Sequence, residues 1–344
     1  MGGGKGPIWE SSQNSLPQIA GLESNLKLKS TSIVIGVVGG TGFIGLNLVW
    51  HLQKAGVHCR TFSRHGLLLN PRSIKYAQLS KIEHVRGDFS DKTAVGEFVR
   101  PCRCVILLVS HLLPSSSAEE IRTVTPWFTA AFGQLLLSCL RYKTEHTIFI
   151  SSGGTIYGEN YTGLPVTEDH PLNPQNAYGS FCALLEQLIR SFHHQHGLPF
   201  TILRLGNPYG PLKRPNTNQG VIDHFIRSAR ARQPFTLFGD GTEVRDYIYI
   251  DDVSESIVRV VCSPAQNNTF NVGTGSGHTT QEVISLAKNQ FDLPEVPILL
   301  QSRRLGDIGC SLLNMEKFGK LYGIRCHTSL EEGLRKYADL EAGG

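Results

Sequence analysis

The stretch SIVIGVVGGTGFIGLNLVWHLQKAG, residues 32–56, constrains the fold more than any other. A continuous apolar run of strand length ends at Val38, passes into a glycine turn, and leaves it as an apolar pattern at helical spacing. Strand, glycine turn and helix in that order open a parallel α/β sheet. Within the turn, Gly39 permits the tight bend, Gly42 lets backbone approach a phosphate, and Gly45 lets the helix pack on the strand. The helix N-terminus then faces an anion. A glycine triplet alone is a weak signal, but with a strand before it and a helix after it the turn predicts a bound dinucleotide. Phe43 and Ile44 are expected among its contacts.

Further strand-length apolar runs follow at HCRTFS, IEHVRG, CVILLVS, HTIFISS and FTILRL, most of them separated by helical stretches such as TAVGEFV and VTPWFTAAFGQLLLSCLR. This alternation predicts an α/β fold with a doubly wound parallel sheet. After about residue 207 the elements shorten and loops rich in Pro, Gly and Asn take over. The expected organisation is a flexible tail over 1–30, a Rossmann-type NAD(P)-binding domain over 31–206, and a smaller, mainly substrate-binding portion over 207–344, with some elements returning to the sheet. The first thirty residues lack the pattern of a signal or transit peptide, and Gly6 breaks the myristoylation pattern.

Composition narrows the partners. A net charge of +4, spread over 33 basic and 29 acidic residues without a basic run, implies neither nucleic acid nor a membrane surface, while a small anionic ligand remains compatible. The eight cysteines contain no C-x-x-C pair and several lie in apolar runs, which fits a reduced cytoplasm. The apolar stretch around Val105 is broken by Ser110 and His111, short of a membrane span. HHQH at 193–196 precedes Gly197 and reads as the end of a helix, so no metal site is assigned.

Where the second strand ends, an acid would favour the free ribose hydroxyl of NAD, but the sequence is TFSRH. Ser63 and Arg64 lean toward the 2′-phosphate of NADP, or else Arg64 is a loop residue over adenine. Asp88, followed by Phe89 after the third strand, is placed for the adenine edge, and Leu108 closes the fourth strand. Downstream, ISSGGTIYG is followed by Tyr178 in the first turn of a helix expected to be capped by Asn173 and Pro174 and stopped at Gly197.

The stretches GGTGFIG, ISSGGTIYG, PQNAYGSF, LRLGNPYGP, FGDGTEVRDYIYIDDV and FNVGTG together resemble the extended short-chain dehydrogenase/reductase family, in particular nucleotide-sugar epimerases of the UDP-glucose 4-epimerase type, over residues 33 to about 335. The resemblance implies C4 epimerisation of a UDP-hexose through a transient 4-keto sugar. It implies Tyr178 as the catalytic base and Ser152 as the hydroxyl that meets the sugar oxygen, although strict alignment from Tyr157 lands on Gly153, with Thr155 as a fallback. Asn207, Arg245, Arg304 and Asp307 would hold the diphosphate and ribose, with Leu237 and Phe238 flanking the uracil. Asp246, Asp251 and Asp252 would serve the fold. The helices over about 123–142 and 178–196 would pair with a second copy in a homodimer.

Cys182 stands where the family places a lysine, and Leu112 where some epimerases carry a second one. A phenol with a pKa of ~10 is ionised to about one part in a thousand at neutral pH, so activating it fully needs ~4 kcal/mol of electrostatic help. A neutral thiol supplies none. Either turnover falls, or a cation such as Lys143 or a nearby arginine compensates. Cys182 as a reactive thiol is the weaker reading, since its helix is mostly apolar and a cysteine packs there. Three alternatives stay open: a dehydratase or decarboxylase, against which Gly153 and Gly154 offer no acidic pair; an NADP-dependent reductase; and a non-catalytic nucleotide-binding member.

Overall fold

A computed structural model describes residues 34–66, 79, 82–108, 112–113, 116–211 and 220–342. The tail expected over 1–30 and residues 212–219, where a loop is expected, lie outside the described residues. The first strands are β1 (Val34–Val38), β2 (Cys59–Ser63), β3 (Glu83–Arg86), β4 (Cys102–Leu107), β5 (His146–Ser152) and β6 (Phe200–Leu205). They are followed by β7 (Asn207–Tyr209), β8 (Phe235–Phe238), β9 (Val244–Tyr249) and β10 (Asn268–Val272). A seven-stranded sheet runs β10-β6-β5-β4-β1-β2-β3, and every neighbouring pair is parallel.

A parallel sheet is covered on both faces, and its strands therefore read as unbroken apolar runs. Ile35, Val37 and Val38 on β1 and Val105, Ile106 and Leu107 on β4 are each at most 1% exposed. Strand order reverses between β1 and β4, and in such sheets a crevice opens beyond the strand ends at that reversal.

The helices of this sheet are α1 (Phe43–Lys54), α2 (Lys92–Val99), α3 (Ala118–Arg141), the short α4 (Gly153–Ile156) and α5 (Ala177–His196). α3 begins earlier than its apolar periodicity suggests, because Ser117 and Glu120 form a reciprocal capping box and Glu119 and Glu120 suit the positive helix end. By length and composition α3 is apolar enough to cross a membrane. Its Phe128, Phe132, Leu135, Leu136 and Cys139 are at most 1% exposed and pack with Phe149 and Phe181, as in a core helix. Leu112 is buried in the same core.

α5 is capped by Asn176, whose Oδ1 accepts from Gly179 N at 2.8 Å, and not by Asn173 with Pro174 as expected. A capping side chain must reach the amides two or three residues ahead, and Asn176 does so. The helix ends at Gly197 in the left-handed conformation (φ 71°).

Beyond β6 the chain adds α6 (Val221–Arg230), α7 (Ile250–Val261), β11 (Gly277–Thr279), α8 (Thr280–Gln290), β12 (Ile298–Gln301), β13 (Cys310–Ser311), α9 (Glu316–Tyr322) and α10 (Leu330–Ala342). A small sheet centres on β9, with β7 and β13 parallel to it and β11 antiparallel, and β8 pairs β12. The three carboxylates of DYIYIDDV hold turns together. Asp246 accepts from Thr274 N and Oγ1, Gly275 N and Leu313 N; Asp252 accepts from Thr328 N and Oγ1; Asp251 Oδ1 lies 3.0 Å from His51 Nε2.

Candidate active site

The glycine turn lies at the crevice. Gly39 adopts φ +83° while its N–H donates to Phe62 O at 2.9 Å, and Gly42 N–H donates back to Gly39 O at 3.0 Å. A Cβ on Gly45 would lie 2.5 Å from Gly39 O, so only glycine lets α1 start this close to β1. α1 begins without a side-chain cap and without an acid in its first turn. The positive end of α1 at Phe43, Ile44 and Gly45 thus carries no neutralising acid, which fits a dinucleotide pyrophosphate. Leu108 N–H donates to Val38 O at 3.0 Å, placing Leu108 against the turn.

Ser63 Oγ donates to His65 O at 2.6 Å and accepts from Thr41 Oγ1 at 2.9 Å. Its proton is therefore committed within the turn, which weakens the serine half of the 2′-phosphate argument. Arg64 is exposed, and its carbonyl accepts from Arg86 Nε at 3.1 Å. Asp88 is exposed and accepts from Ser90 N and Oγ, while Phe89 is buried beside it.

At the end of β5, Ser152 Oγ accepts from Thr155 Oγ1 at 2.9 Å. Tyr178 is half-buried in the first turn of α5. One turn later the Cys182 thiol is 5% exposed and is pushed up to about 12, mainly by burial, which the nearby Tyr178 side chain and Ser152 main chain offset only in part. The fold thus gathers Ser152, Tyr178 and Cys182, with the sulfur present as a thiol. It packs in a small apolar cluster with Ile156, Tyr157 and Leu313. A Cβ on Gly153 would lie 2.5 Å from Leu313 Cδ1 and 3.0 Å from Leu205 O, so Leu313 fills the space beside that glycine. A Cβ on Gly154 would lie 2.8 Å from Asn207 Oδ1, which places Asn207 at the same turn.

Lys143 is not a compensating cation. It is exposed just before His146, at the start of β5, whereas Ser152 ends that strand, roughly 20 Å away at the usual rise per residue. Arg204 on β6 is engaged elsewhere: Glu186 on α5 binds it in bidentate fashion at 3.0 and 2.7 Å, and Arg204 Nη1 donates to Tyr157 OH at 2.8 Å. Tyr157 OH in turn donates to Asn271 Oδ1 at 2.6 Å. Sequence reasoning missed this buried network and Leu313; the only trace was an arginine inside the apolar run FTILRL.

The opposite end of the site collects Leu237 and Phe238 on β8 with Arg304, whose guanidinium sits 3.8 Å from the Phe238 ring centre. Asp307 N–H donates to Arg304 O at 3.2 Å, so Arg304 and Asp307 share one turn. His224 on α6 has its pKa lowered by burial and by Arg227 and Arg304. Arg245 Nη1 donates to Val244 O at 3.0 Å and to Gly309 O at 3.4 Å. The two ends touch, since Asn176 Nδ2, at the cap of the Tyr178 helix, donates to Gly306 O at 3.4 Å.

A shallow groove of about 620 Å³ lies away from these residues, between Thr125, Thr129, Gly133 and Leu137 of α3 and Leu188 and Phe192 of α5. Among the described residues, no three His, Cys, Asp or Glu side chains gather as metal ligands. His193 Nδ1 lies 3.0 Å from Leu198 O at the end of α5.

Residues 35–273 match the model of the NAD dependent epimerase/dehydratase family. The chain is 31% identical over 328 residues to a UDP-glucose 4-epimerase of Bacillus subtilis, covering 87% of this chain and 94% of that one. It is similar to the crystal structure of Thermus thermophilus UDP-glucose 4-epimerase in complex with NAD (TM-score 0.80, 30% identity, 90% of this chain and 99% of that one). It is also similar to the Thermotoga maritima UDP-glucose 4-epimerase with UDP-glucose (TM-score 0.81, 27% identity, 90% and 99%).

Proposed function

We propose, from the premise that this chain belongs to the NAD dependent epimerase/dehydratase family, that it is an NAD-dependent nucleotide-sugar epimerase inverting C4 of a UDP-hexose. The observation that supports the reading most is the contact between the cap of the Tyr178 helix and the turn of Arg304 and Asp307, which brings these two segments together. NAD, when bound, supplies acceptance and return of hydride at C4. The N-terminal end of α1 would hold its pyrophosphate. Thr155 donates to Ser152, which leaves the Ser152 proton free to point at the sugar oxygen. Tyr178 would take the proton of the C4 hydroxyl and return it to the opposite epimer. Asn207, Arg245, Arg304 and Asp307 would hold diphosphate and ribose, with Phe238 and Leu237 against the base.

A second reading, a nucleotide-binding member with impaired chemistry, is favoured by the Cys182 thiol and by Leu313 closing the space beside Gly153. Denaturing the purified protein and identifying released nucleotide by mass spectrometry, then assaying a panel of UDP-sugars with and without Cys182→Lys, separates the two. Tightly held NAD with interconversion of C4 epimers supports the epimerase. An empty protein inert toward every sugar supports the second reading. We further propose a homodimer through the groove face of α3 and α5, which light scattering checks, and a cytoplasmic location, in keeping with eight unpaired cysteines.

A further inference from the structure

Glu159 is a carboxylate without an assigned part in the chemistry, yet both of its oxygens are used. Oε2 accepts from Gly309 N at 2.6 Å and Oε1 from Cys310 N at 3.0 Å, while Arg303 Nη2 stands 4.0 Å away. The Gly309 carbonyl meanwhile accepts from Val244 N at 2.8 Å and from Arg245 Nη1 at 3.4 Å. One short stretch of backbone is thus gripped by Glu159 on one side and by β9 with Arg245 on the other. A side chain at 309 would meet Glu159 Oε1 at 2.9 Å, so the glycine is what admits the carboxylate.

The clamp has a second anchor. A Cβ on Gly306 would lie 2.5 Å from Gln175 O, and Gly306 O accepts from the Asn176 side chain that also caps α5. Glu159 itself follows Gly158, whose main chain (φ +78°) is so close to Asn173 O that a Cβ would lie 2.1 Å from it. The turn of Arg304 and Asp307 is therefore fastened to the segment between Tyr157 and Tyr178 at Gly306 and again just beyond it at Gly309 and Cys310. Two charge-assisted bonds to adjacent amides fix orientation as well as position.

We infer that Glu159 is a positioning residue for the nucleotide end of the substrate, holding Arg304, Asp307 and Arg245 in register with Tyr178. The inference rests on the nucleotide-sugar reading above. Its test is calorimetric titration of UDP into the NAD-loaded full chain, unaltered and as Glu159→Gln and Glu159→Ala, with NAD affinity and Tm measured on the same samples. The glutamine retains one acceptor and should raise the Kd for UDP several-fold. The alanine retains none and should raise it about tenfold or more, with NAD affinity held within about twofold. Hydrogen exchange at the Gly309 and Cys310 amides should quicken in both variants, a readout that the glutamine variant supplies if the alanine variant does not fold. Unchanged UDP affinity in the variants overturns the inference, as does a parallel fall in UDP and NAD affinity that follows Tm, which marks a merely structural role. Failure of the unaltered protein to bind UDP removes the nucleotide-sugar reading and this inference with it.

Discussion

Burial pushes the Cys182 thiol up to about 12 against an ordinary value of 9.0. Its thiolate fraction at pH 8 is lower by about a thousandfold than for an ordinary cysteine, so iodoacetamide should label it far more slowly in the folded protein than in the urea-unfolded chain. Peptide mass spectrometry reads the difference, and rapid native labelling would contradict it. Leu313 sets a second expectation. Gly153→Ser should cost about 1–3 kcal/mol through overpacking, and Leu313→Ala in the same chain should relieve part of that cost. A double-mutant cycle by urea denaturation measures the coupling, and strict additivity would contradict the contact. The placement of Tyr178 and Cys182 on one helix start and of the glycine triplet at a strand end was legible in the sequence, because each announces itself within one turn or one strand end. Leu313 was not, because the position it fills lies far away in the chain and nothing in SLLN marks it.

α5 carries Tyr178, the proposed proton-transfer group, at its first turn and is tied to β6 by the buried Glu186–Arg204 pair, at 1% and 3% exposure. Arg204→Ala should destabilise the protein by about 3 kcal/mol or more, because the buried Glu186 loses both close hydrogen bonds and keeps only Arg190, 3.7 Å away. Glu186→Leu combined with Arg204→Met should recover much of that loss in the same denaturation assay. The elements were legible where burial imposes a long pattern: unbroken apolar strands alternating with helices fixed a parallel sheet. The return of β10 to the edge beside β6 was anticipated only as some element doing so, since a five-residue strand after a long excursion carries no address. The small sheet was illegible because its strands run to three residues or fewer at β7, β11 and β13 and are set by turns on Asp246 more than by periodicity. The start of α5 was misplaced because Asn173–Pro174 and Asn176 both look like caps, and only the fold shows which side chain reaches Gly179.

Across the whole molecule, stability should fall with acid through His146. Burial lowers its pKa from 6.5 to about 4 in the fold, and its Nε2 lies 2.8 Å from Thr201 Oγ1. The unfolded chain binds this proton more readily, so the contribution is complete above pH 6.5 and is lost as pH falls toward 4, to a total of roughly 3 kcal/mol. Burial raises the Asp246 and Asp252 carboxyls, which act in the opposite sense; comparison of His146→Gln with the unaltered protein isolates the histidine. Urea midpoints between pH 7.5 and 4.5 should fall less steeply in the variant. The central claim is that this chain inverts C4 by moving hydride out and back within one site, with Tyr178 working beside a thiol. The most direct test supplies UDP-glucose deuterated at C4, in ordinary water with NAD, and follows the sugars by mass spectrometry and NMR. The account predicts slow appearance of the C4 epimer with the deuterium retained at C4 and without accumulation of reduced cofactor. An epimer that has lost its deuterium, or no epimer at all with NAD bound, would contradict it.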